Sequence, residues 1–107
     1  MKTLDAIYCQ FLTLGFIVIQ QALEAGDSVW MAAEIELLHN VPSLIGEGNF
    51  KRHEYFWQKE RTAYLKWVNA PGREVQRSRM ATFYEPIWAE MAPLIDALEE
   101  RQKVSGR

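Results

Sequence analysis

The sequence predicts an all-α fold: a four-helix antiparallel bundle, up-down-up-down, whose long C-terminal helix is kinked by proline. Three observations lead there. Apolar residues recur every three or four positions in four successive segments, the period of helices with a buried face. Short stretches holding Gly, Pro, Asn and Asp divide those segments, and helices joined by short links pack as neighbours. The one apolar run that could be a strand, Phe11 to Ile19, has no alternating partner elsewhere in the chain.

The first helix is expected from Thr3 to Ala25. Leu4, Ile7, Phe11, Leu14, Val18 and Ala22 form its stripe, and Tyr8, Leu12, Phe16, Ile19 and Leu23 widen it past half the circumference. Gly26 is a natural stop in the left-handed region, and Asp27 or Ser28 can cap the next helix.

The second helix is expected from Ser28 to Asn40, with Trp30, Ala33, Leu37 and Val41 in line and Met31, Ile35 and Leu38 beside them. Pro42 disfavours helical geometry at Val41 and ends it. The link VPSLIGEG keeps Leu44 and Ile45, which predicts that it packs down on the core.

Asn49 caps a third helix over Phe50 to Asn69. Its inward line is Phe50, Trp57, Tyr64, Leu65 and Val68, with His53 and Glu54 on the same face at i+3 and i+4 from Phe50. After the turn Asn69-Ala70-Pro71-Gly72, the fourth helix is expected from Arg73 to Lys103, on Met80, Tyr84, Ile87, Met91, Leu94 and Leu98. Pro86 and Pro93 each remove a backbone donor, so a kink or break is expected near Tyr84–Glu85. The polar end from Gln102 is expected to fray.

Length and composition fit one domain over residues 1–107. Half the residues (49%) are hydrophobic and 24% are charged, too apolar for a disordered chain. A chain this short buries a modest share of its surface, so self-association would help it. Phe11 to Ile19 falls short of the ~20 residues that a membrane span requires. Asp5 lies where a signal peptide needs positive charge, and no small-x-small cleavage site comes soon after the apolar run. Cys9, alone in the sequence, excludes an internal disulfide; a cytoplasmic protein is expected, with Cys9 packed in the first helix.

Charge is uneven although the net is only −2. Residues 1–50 carry one base and six acids, and residues 51–79 carry eight bases and three acids. Side-by-side packing of the halves would neutralise both. A basic face for anions or nucleic acid is the other reading, with Arg73 and Arg77 one turn apart at a helix start where their charge opposes the helix dipole. The acidic pI speaks against nucleic acid.

Candidate chemistry gathers between Glu36 and Trp57. Glu36 and His39 have half of a di-iron spacing, but the first helix offers no carboxylate between Tyr8 and Gln20 to complete such a site. A ligand-binding corner of Glu36, His39, His53 and Glu54 requires the link to fold back between the second and third helices. Two histidines exclude a three-histidine metal site. Ser43 near His39 has no third partner, and Gly46-Glu47-Gly48 is too short and acidic for a phosphate loop. No catalytic residue, metal or cofactor is therefore assigned. The surplus apolar surface of the first helix, with Trp30, Trp67 and Trp88, predicts a protein-binding or homodimerising module instead.

Overall fold

The computed structural model describes residues 2–105, with side chains to Lys103, and all its regular structure is helical. The fold is all-α with four principal helices. The first, α1, spans Leu4–Glu24, one residue shorter at each end than expected, because Thr3 stands outside as the cap and its Oγ1 accepts from the Ala6 N–H at 3.2 Å. Gly26 turns the chain with φ 66°, and Asp27 caps α2 (Ser28–Leu38) by accepting from the Trp30 N–H at 3.0 Å.

The link after α2 contains a single helical turn, α3 (Val41–Leu44), with Pro42 in its first turn, where the missing N–H is no loss. Leu44 is buried as expected, whereas Ile45 is 38% exposed and does not pack down. Asn49 caps α4 (Phe50–Tyr55), accepting from the Lys51 N–H at 3.0 Å. A π turn over Phe56–Glu60 then joins α4 to α5 (Arg61–Val68).

That π turn changes the face that points inward. One extra residue per turn brings positions eight apart, instead of seven, onto the same side. Phe56 and Tyr64 therefore share the core. Trp57, expected on the inward line, is instead rotated to the core's edge and half-buried.

The last rod comprises α6 (Glu74–Arg79), a second π turn over Met80–Tyr84, and α7 (Glu85–Ser105). No break separates them at Tyr84–Glu85. The helix widens immediately ahead of Pro86, whose ring would press on the carbonyl four residues back, and it runs on through Pro93. Gln102 is not frayed: its amide donates to the Gly48 carbonyl and accepts from the Phe50 N–H at 3.4 Å.

The core is aromatic. Phe11 and Tyr84 stack with centroids 4.7 Å apart, Phe56 sits edge-on to both Tyr8 and Phe11, and Trp88 closes the cluster against Phe11, Tyr64 and Tyr84. Such pairs add about 0.5–1.5 kcal/mol each beyond the area they bury. Trp30 and Trp88 are buried and Trp67 is half-buried, so the tryptophans are not the surplus surface the sequence suggested. Their size is consumed in filling space between rods.

By length and composition, α1 is able to cross a membrane, and only 33% of its most apolar window is buried. Tyr8, Phe11, Val18 and Ala22 are nevertheless fully enclosed by the other helices.

Candidate functional site

The four residues proposed as a ligand corner are not brought together. His53 is buried on α4, and its Nε2 lies 2.7 Å from the Glu47 carbonyl. A carbonyl can only accept, so Nε2 carries a proton; Nδ1 of the Nε2–H tautomer accepts from the Tyr8 hydroxyl at 2.8 Å. Both ring nitrogens are thus spent pinning the Gly46–Asn49 link to α1. Sequence spacing could not reveal this, because Tyr8 and Glu47 lie on other elements.

His39 is exposed at the C-terminal end of α2. Glu54 points to a shallow cleft beside Trp57 and Asp96, on the α7 side. Glu36 does line a hollow between the second and third principal helices, a cavity of about 170 Å³. Its other walls include Glu60, Tyr64 and Trp67 but neither histidine nor Glu54. Among the described residues no three His, Cys, Asp or Glu side chains gather closely enough to hold a metal ion.

Arg73 and Arg77 are engaged within the chain. Arg73 Nη1 donates to the Trp67 carbonyl at 3.0 Å, with its guanidinium 4.8 Å from the Trp67 ring centroid. Arg77 Nη1 donates to the Val68 and Ala70 carbonyls at 3.2 and 3.1 Å. Trp67 and Val68 belong to the last turn of α5 and Ala70 lies just past it, and cations there complement the helix dipole. The charges that looked misplaced at the start of α6 serve the end of the helix before it.

Several of the exposed large apolar side chains lie on α1. Cys9, Phe16 and Leu23 recur every seven residues, and Leu12 and Ile19 fall between them at the alternate three-four step. This is the a/d spacing of a helix–helix seam. It lies beside the stripe that enters the core: Phe16 is 66% and Leu23 64% exposed, whereas Leu12 and Ile19 are half-buried and pack against the core's edge. Cys9 is exposed too, contrary to the expectation that it packs, since it belongs to the outer seam.

The second helix packs beside α1. Leu38 of α2 packs against Gly15, and Ile35 and Met31 precede it by three and seven residues on the same side. Ile35 is 50% exposed. From Tyr8 to Leu23 α1 contains no charged residue, so the face is apolar with neutral Thr13 and Gln20 on its flank. The sequence disclosed these residues as a broad stripe; which part of the stripe stays outside depends on where α2 lies. No family model, curated protein or solved structure matches the chain.

Proposed function

We propose that the protein is a helical interaction module that pairs with a second copy of itself through the outer seam of α1. The observation that carries this reading is the heptad Cys9-Leu12-Phe16-Ile19-Leu23, in which Cys9, Phe16 and Leu23 are exposed and Leu12 and Ile19 are half-buried at the core's edge. One helix with two apolar seams serves two neighbours, and the core occupies only one.

A second copy suits the seam because its flanks are uncharged. Two identical faces meet in an isologous contact with no like charges opposed, whereas a charged partner would gain nothing from Thr13 or Gln20. At 21 residues α1 is about 31 Å long, enough for four turns of contact on each side. The lone cysteine suits a reducing, cytoplasmic setting.

Light scattering over a dilution series tests the reading. Wild-type protein is expected at twice 12.4 kDa at high micromolar concentration, falling toward 12.4 kDa on dilution. Phe16→Glu is expected to stay monomeric with an unchanged helical spectrum. A wild-type chain that remains monomeric throughout overturns the proposal. Sedimentation of such a monomer with lipid vesicles would instead make the seam a membrane-facing surface.

A further inference from the structure

Arg61 is a half-buried cation without a counter-ion. Its Cζ lies 3.8 Å from the Trp57 ring centroid and 5.9 Å from that of Trp88, and among the described residues it pairs with no carboxylate. The first π turn produces this arrangement. In a regular helix the Arg61 N–H would take the Trp57 carbonyl four residues back; here it reaches Phe56. The Arg61 side chain takes the freed carbonyl instead, Nε donating to it at 2.9 Å. One nitrogen is thereby fixed and the guanidinium is laid on the indole face. Its two terminal amines have no acceptor among the described residues.

Those amines border a cavity of about 350 Å³, walled by Trp57, Leu65, Met80 and Trp88, with Glu85 also in the lining. Both π turns contribute a wall, Trp57 from one and Met80 from the other, and such turns recur at functional sites. Burial lowers the Arg61 guanidinium below its ordinary range, the response of a cation that has lost water and gained no opposing charge. A guanidinium whose terminal amines have no protein partner among the described residues, set among mostly apolar walls with one carboxylate, Glu85, in the lining, favours an anionic ligand.

We propose that this groove binds a small monocarboxylate with an apolar body, the carboxylate on the terminal amines of Arg61 and the body against Trp57, Leu65 and Met80. A guanidinium fork accepts carboxylate and phosphate alike. One cation with Glu85 nearby suits a single negative charge better than a phosphate dianion, and the apolar walls reward a hydrocarbon or ring. The site lies away from the α1 seam, so it stands or falls independently of self-association.

Benzoate and its neutral isostere benzamide test it, titrated into the ¹⁵N-labelled full chain. Benzoate is expected to shift the Arg61 Nε–H and Trp57 indole N–H signals at millimolar concentration, with benzamide at least about tenfold weaker. Arg61→Gln is expected to abolish that preference, with its fold verified by circular dichroism. Should that variant fail to fold, the benzoate-to-benzamide ratio on wild type decides alone. Equal binding of the two probes, or no shift of these two signals up to tens of millimolar, overturns the proposal.

Discussion

The Tyr84 hydroxyl donates to the Glu34 carboxylate at 2.7 Å, and both side chains are fully buried. Among the described residues Glu34 forms no ion pair, and its second oxygen has no partner. Burial raises its carboxyl above the ordinary 4.5, while the Tyr64 and Tyr84 hydroxyls draw it partly back. A carboxyl raised by folding contributes its stability below about pH 4.5, and that contribution is lost as pH climbs through the folded value. Glu34→Gln keeps an acceptor for Tyr84 and removes the titration. The melting temperature of this variant relative to wild type is therefore expected to rise steadily from pH 4.5 upward. A difference that stays constant with pH would show that Glu34 is solvated in the folded protein.

His53 makes the second buried polar chain, Tyr8 hydroxyl to Nδ1 and Nε2–H to the Glu47 carbonyl. His53→Phe keeps a ring of similar size but strands both partners, a hydroxyl inside the core and a carbonyl beside it. Leaving buried polar groups unpaired costs about 1–3 kcal/mol each, so a loss of about 2–4 kcal/mol is expected in urea unfolding. A loss under about 1 kcal/mol would mean that the Gly46–Asn49 link moves to satisfy these groups by itself.

Composition and period disclosed the helices and the caps Asp27 and Asn49, which act within three residues of themselves, while Thr3, expected inside the first helix, turned out to be its cap. Two kinds of feature were not legible. The π turns have no residue signature, yet the first decides that Phe56 and not Trp57 enters the core, and so creates the Arg61 groove. Long-range polar pairing was equally hidden. His53 resembled a ligand until Tyr8 and Glu47 met it, and Arg77 resembled a free charge until it reached the Val68 and Ala70 carbonyls. Trp57 and Arg61, four residues apart on one helix, were the visible trace of the groove.

Gly15 of α1 faces the Leu38 side chain of α2, and substituting it sets two effects against each other. Alanine is favoured over glycine inside a helix by about 1 kcal/mol. A Cβ at this position would lie 3.0 Å from Leu38 Cγ and 2.7 Å from Cδ2, well inside contact distance. Leu38 is itself buried, so it cannot swing aside without disturbing its neighbours. Overpacking of this kind costs about 1–3 kcal/mol and outweighs the propensity gain, so Gly15→Ala is expected to destabilise. Leu38→Ala alone should cost about 2–4 kcal/mol through the space it leaves. Added to Gly15→Ala, the same truncation should cost at least about 1 kcal/mol less, because it relieves the overlap. Strict additivity of the two changes in urea unfolding would place the helices farther apart in solution than this contact requires.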